Sequence, residues 1–127
     1  MNKKIHVSKL APAPVGPYSQ AVESGGFVFC SGQVSIDGKT NEVFKGEISA
    51  QTKMVMENIK HVLAAADLSL NNVIKTTIFL TDMNDFAKVN EVYGGFFIKE
   101  PPARSTVQVS ALPKGVNVEI EVIARRF

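Results

Sequence analysis

What this chain of 127 residues lacks narrows its chemistry before any motif is read. There is one cysteine, Cys30, so no intrachain disulfide can form, and the chain reads as a product of a reducing compartment. There are two histidines, His6 and His61, far apart in sequence, and no cysteine–histidine spacing of a familiar metal site, so no metal is expected. Tryptophan is absent, and no apolar run is long enough to span a bilayer. The amino end carries charge without a following apolar block, so neither a membrane anchor nor a leader is indicated, and the expected location is cytoplasmic. Neither charge sign dominates: 14 Lys and Arg face 12 Asp and Glu, a formal net charge of +2, and the basic residues are scattered. A phosphate-backbone footprint is therefore not indicated, and nucleic acid is an unsupported partner.

What is present is ordinary globular material, 45% hydrophobic and 20% charged. The length suits a single domain, 1–127, able to bury one core. Residues 11–17, Ala-Pro-Ala-Pro-Val-Gly-Pro, cannot be regular helix or central strand and must be a loop, preceded by a possible short strand within 5–10. Extended runs at 18–22 and 27–34 flank Gly25-Gly26 and read as a hairpin. Gly32, inside the second run, implies a bulge or a close backbone approach. Apolar residues at helical spacing, from Ile48 through Val55, Met56, Ile59, Val62 and Leu63 to Ala66, predict a helix over 47–66. His61 falls off that stripe and reads as solvated. A strand at 73–81 with two semi-apolar faces precedes a second helix striped by Phe86, Val89, Val92, Tyr93, Phe96 and Phe97. Asn90 lies within that arc, where a buried amide more commonly bonds backbone than borders a pocket.

The last two strands, 105–111 and 116–124, are joined by Leu112-Pro113-Lys114-Gly115, which reads as a hairpin loop. Parity within that hairpin puts Val107, Val109, Val118, Ile120 and Val122 on the face that helices cover. It puts Arg104, Thr106, Gln108, Glu119 and Glu121 together on the other, a face that could be wet or be covered by further subunits. Arg104 follows Pro101-Pro102-Ala103, a stiff mounting that suits a carboxylate clamp. Taken alone, such an arginine is more commonly a surface group. The element order gives an α+β fold, one mixed sheet with two helices on one face.

The ordered set Gly16-Pro17-Tyr18-Ser19-Gln20-Ala21, Ser31-Gly32-Gln33, Lys75-Thr76-Thr77-Ile78-Phe79-Leu80, Asp85 to Asn90, Pro102 to Val107 and Val118-Glu119-Ile120-Glu121 spans nearly the whole chain. It resembles the Rid, or YjgF-like, family of enamine/imine deaminases. The resemblance implies a chorismate-mutase-like subunit in a homotrimer, with sites in intersubunit clefts. It also implies hydrolysis of 2-aminoacrylate-type enamines and imines, released by pyridoxal-phosphate enzymes, to 2-keto acids and ammonia, without a cofactor in this protein. Carried over by position, Arg104 would grip the substrate carboxylate and Glu119 would orient or activate water. Tyr18, Ser31, Gly32, Asn90 and Thr106 would line the substrate pocket. Several relatives carry cysteine where this chain has Thr106, so thiol catalysis from that position is absent, and Cys30 reads as a small buried filler. Other classes stand beside this one: a keto-acid-binding regulator without turnover, a translation inhibitor with ribonuclease activity, or a holdase exposing apolar surface.

Overall fold

The computed structural model describes residues 2–127, in which six strands form one sheet and two helices cover one of its faces. The elements in chain order are β1 (Lys4–His6), β2 (Ala21–Ser24), β3 (Phe27–Gln33), α1 (Ile48–Ala65), β4 (Val73–Leu80), α2 (Phe86–Phe96), β5 (Ala103–Gln108) and β6 (Val118–Arg125). Their order across the sheet is β1-β2-β3-β6-β4-β5, antiparallel throughout except for the parallel pair β4 and β5. The mixed α+β architecture expected from the element order is thus present.

Helix α1 forms where its apolar period demands, burying Ile48, Val55, Met56, Ile59, Val62 and Leu63 against the sheet. Each fully buried aliphatic chain contributes about 1.5–3 kcal/mol of transfer free energy. The helix ends in a Schellman turn: the Leu68 amide donates to Leu63 O, the Asp67 amide to Ala64 O, and Asp67 takes φ 58°. Leu68 tucks beneath that turn and is buried.

Two buried glutamines tie loops to this frame by acting as extra peptide groups. Gln20 accepts from the Ser8 amide at 2.6 Å and donates to the Ser8 and Pro12 carbonyls, fastening the proline-rich loop. Gln51 donates to Gly46 O and Asn117 Oδ1 and accepts from the Asn117 amide at 3.0 Å. Leaving such buried backbone groups unpaired costs about 1–3 kcal/mol each, so loop placement here depends on amide chemistry rather than apolar burial.

The expected hairpin between the last two strands does not form. Strand β5 lies parallel to β4 at the sheet edge, and β6 sits on the other side of β4. Leu112-Pro113-Lys114-Gly115 is a short 3₁₀ turn, with Lys114 at φ 61°, within a connection that crosses from the edge to the sheet interior. Turn chemistry marks where a chain reverses but not which strand it joins afterwards.

Register then decides the faces. Thr76, Ile78 and Leu80 of β4 pair with Arg104, Thr106 and Gln108 of β5, and with Val122, Ile120 and Val118 of β6. Residues level with one another across a sheet share a face, so Arg104 and Thr106 lie on the helix side. Glu119 and Glu121, level with Phe79 and Thr77, lie on the open side. The expectation that arginine and glutamate share a face is corrected by one residue of parity. The open face also carries exposed Phe27, Phe29 and Val107, apolar surface that no element among the described residues covers.

The carboxy end is anchored by charge. Arg126 donates two bonds of 2.9 Å to the Glu23 carboxylate and one of 2.8 Å to Ala66 O, and His6 Nε2 meets Glu23 Oε1 at 2.8 Å. The bonds from Arg126 first, then from His6, hold Glu23 down to about 2 from an ordinary 4.5. A depressed carboxyl stabilises the fold above its unfolded value, and that contribution is lost as pH falls toward the folded value. Between pH 4.5 and about 2, the urea midpoint of the native chain should therefore fall more steeply than that of Glu23→Gln. Parallel curves in chemical denaturation would reject this anchor.

Candidate functional site

The seven sequence-nominated residues fall into two groups on the chain. The first is built on β5 and α2. Arg104 donates from Nη1 to Asn90 Oδ1 at 2.6 Å. Its guanidinium carbon stands 5.5 Å from the Phe86 ring centroid and 5.1 Å from that of Tyr93. Among the described residues it makes no other hydrogen bond and no ion pair, so donors of the planar fork remain for a ligand. Asn90 is exposed and spends its carbonyl oxygen on the arginine, so it does not bond core backbone as buried amides commonly do. Thr106, two residues along the same face, has a buried Oγ1 with no partner. A buried, unpaired hydroxyl is costly unless something else completes it.

Tyr93 is buried in this group, and its hydroxyl meets Thr76 Oγ1 at 2.7 Å. Burial raises its pKa, against the opposing influence of the Thr76 bond and the Arg104 charge. Sequence reading counted Tyr93 and Phe86 as core stripe and missed their contact with Arg104. Their spacing to Asn90, i, i+4 and i+7 on one helix, was the available signal.

The second group is built on the loop before β2, on β3 and on β6. Ser31 donates its hydroxyl to Ser19 O at 2.6 Å, and its amide donates to Gln20 O. Its side-chain lone pairs remain free to accept. Tyr18, half exposed, turns its hydroxyl toward the Val15 amide at 3.4 Å. Gly32 sits where the β3–β6 register shifts, between Cys30 and Gln33, so the expected irregularity is present. A Cβ at Gly32 would run into the Glu119 carboxylate, which explains the glycine: the carboxylate lies directly against the strand. Burial raises the Glu119 pKa, and the neighbouring Glu121 charge raises it further.

The two groups do not meet within the chain. Arg104 and Glu119 are two strands apart, about 10 Å, and three residues apart along them, about 10 Å more, and they lie on opposite faces. A hollow bordered by Tyr18 and Gly32 holds about 40 Å³, well below the several hundred typical of a ligand pocket.

Comparison with known proteins bears on the class. The model of the family described as Endoribonuclease L-PSP matches residues 8–126. The chain belongs to the Rid (L-PSP) family. A RutC family protein of Pyrococcus horikoshii is 56% identical over 122 residues, covering 96% of this chain and 97% of its own. The mouse 2-iminobutanoate/2-iminopropanoate deaminase is 44% identical, covering 96% and 90%. Among solved Rid-family structures, Escherichia coli TdcF with bound serine superposes at TM-score 0.93, with 45% identity and coverage of 98% and 99%. The family resemblance seen in the ordered motifs is thus confirmed, and so is the fold it implied.

Within this Rid chain the one thiol takes no part in either group. Cys30 is buried on β3 and desolvation pushes it up to about 12, so it is protonated and unreactive at neutral pH. Iodoacetamide should leave the native protein unmodified by mass spectrometry and add one adduct in urea. Rapid alkylation of the native state would contradict the burial.

Proposed function

We propose that this Rid-family chain hydrolyses small 2-imino acids, and the 2-aminoacrylate-type enamines that tautomerise to them, to 2-keto acids and ammonia. The observation that carries the reading is Arg104, a pinned guanidinium with donors to spare, on an edge strand. A carboxylate is the ligand its planar fork fits best, and lysine would not reproduce that geometry. The name of the mouse relative, an imine deaminase, agrees in substrate class.

The site is completed between subunits of a homotrimer, with Arg104, Asn90 and Thr106 from one copy and Tyr18, Ser31, Gly32 and Glu119 from its neighbour. The separation of the two groups across one sheet supports this, as does the uncovered apolar surface on the open face. Arg104 takes the carboxylate, and Thr106 Oγ1 gains a polar partner from the ligand. Glu119, with a raised pKa, takes a proton from water as the oxygen adds to the carbon of the protonated imine, forming a neutral carbinolamine. Returning that proton to nitrogen lets it leave as ammonia, and the hydroxyl gives up its own proton as the ketone forms. These steps run slowly in water alone, so positioning and a poised carboxylate suffice without metal, thiol or cofactor.

Two arms of one experiment test this. With threonine and a threonine dehydratase, keto acid should appear faster in the presence of the protein while semicarbazide competes for the imine. Arg104→Ala should lower that gain by about 10- to 100-fold, as loss of a charge-assisted pair does, and Glu119→Gln by about 100-fold. Chains of Arg104→Ala and Glu119→Gln, denatured and refolded together, should regain activity, because mixed trimers contain sites with both native groups. No gain over buffer in the native protein, or a monomeric mass in solution, overturns the reading. Keto-acid binding without turnover would indicate a regulator instead, and RNA cleavage insensitive to Arg104→Ala a nuclease.

The acid limb of the rate should lie above the ordinary carboxylate range, because Glu119 is inactive as a base once protonated. Glu121→Gln should move that limb to lower pH by removing the neighbouring negative charge. A limb unmoved by Glu121→Gln would remove Glu119 from the role of base.

A further inference from the structure

We propose that Tyr93, fastened by Thr76, and with it Phe86, are positioning residues that fix the Arg104 guanidinium before any ligand arrives. This rests on the reading of Arg104 as the carboxylate grip. An unrestrained arginine carries substantial rotamer entropy, much of which would be lost on ligand binding. An edge strand supplies little to restrain it, since β5 has a neighbour on one side only.

The restraint comes instead from α2. Phe86, Asn90 and Tyr93 stand at i, i+4 and i+7, one stripe of the helix, and all three contact the guanidinium. Asn90 fixes one nitrogen by a hydrogen bond, whereas the two rings attract the guanidinium carbon from 5.5 and 5.1 Å, a contact worth more where water is displaced. The ring of Tyr93 is itself held at both ends. Its hydroxyl meets Thr76 Oγ1 at 2.7 Å, and its ring packs on Phe97 with centroids 4.9 Å apart.

Thr76 is also the β4 residue level with Arg104 in the parallel pair. The strand that sets the height of the arginine backbone therefore also sets the height of the ring beneath its head group. Backbone and guanidinium are located from one origin, through a closed circuit: Thr76 to Arg104 by strand pairing, Arg104 to Tyr93 by ring contact, Tyr93 back to Thr76 by hydroxyl. A purely structural tyrosine would need the hydroxyl bond but not the arginine.

Binding of 2-oxobutanoate, measured by calorimetry alongside kcat and KM in the dehydratase-coupled assay, tests the circuit. Tyr93→Leu should weaken 2-oxobutanoate about five- to tenfold, the scale of a desolvated cation–π contact, and raise KM while kcat stays within about twofold. Tyr93→Phe keeps the ring and loses the hydroxyl, and should weaken binding about two- to threefold. Thr76→Val should do the same, and the double variant should be no weaker than either. In an Arg104→Ala background, none of these changes should alter binding further. Weakening by Tyr93→Leu that persists undiminished without Arg104 would show a general structural role and overturn the proposal. So would unchanged affinity in a folded Tyr93→Leu, or, if that variant fails to fold, in both Tyr93→Phe and Thr76→Val. If Arg104→Ala itself binds 2-oxobutanoate normally, the carboxylate reading falls and this one with it. Loss in Arg104→Ala with none in the Tyr93 and Thr76 variants overturns the positioning role alone.

Discussion

A strand offers each residue to one face only, and β4 makes that choice for both of its neighbours. By pairing Thr76 with Arg104 on one side and Val122 on the other, it sends the arginine toward the helices. By pairing Phe79 with Glu119, it sends the carboxylate away from them. Everything proposed about the site descends from this division. Two charges of opposite sign that could have neutralised each other as an ordinary surface pair are kept apart by the sheet itself. Each is therefore left without the other as a partner.

The environments of the two groups differ accordingly. The arginine sits on aromatic rings and an amide, which fix its position without consuming all of its donors. The glutamate lies half-buried against a glycine strand beside another carboxylate, and both burial and charge hold its proton more tightly. One half is held still, and the other keeps its proton more tightly than an ordinary carboxyl does. The absence of a reactive thiol fits this division, because water and a carboxylate are sufficient for adding oxygen to an imine and the sole cysteine is sealed inside.

Much of this was legible in the sequence. The helices were written in 3.6-residue periodicity, and their observed limits, Ile48–Ala65 and Phe86–Phe96, lie within about a residue of it. Gly32 announced the irregularity in β3, and the proline-rich loop announced itself. What failed was the partner of β5. Leu112 to Gly115 has the residues of a tight reversal, and the inference that neighbouring strands pair was the simple one. Yet pairing is decided by burial over the whole sheet. Val118, Ile120 and Val122 needed cover from helices and neighbours on both sides, which only an interior place supplies. Strand β5, with polar residues on both faces, tolerates the edge. The parity error for Arg104 followed directly, and with it the roles of Tyr93 and Phe86 stayed hidden, since no local pattern says what lies across a sheet from a helix.

Gly32 and Glu119 also tell against judging substitutions by stability alone. A side chain at position 32 would first meet the tip of a flexible glutamate, which can swing aside and leave the backbone undisturbed. The fold would absorb such a change at little cost. The carboxylate would not keep its place. Position 32 is thus a point where a variant passes every screen for soluble, folded protein while the Glu119 carboxylate has been moved, and the damage is visible only in the chemistry proposed for that carboxylate.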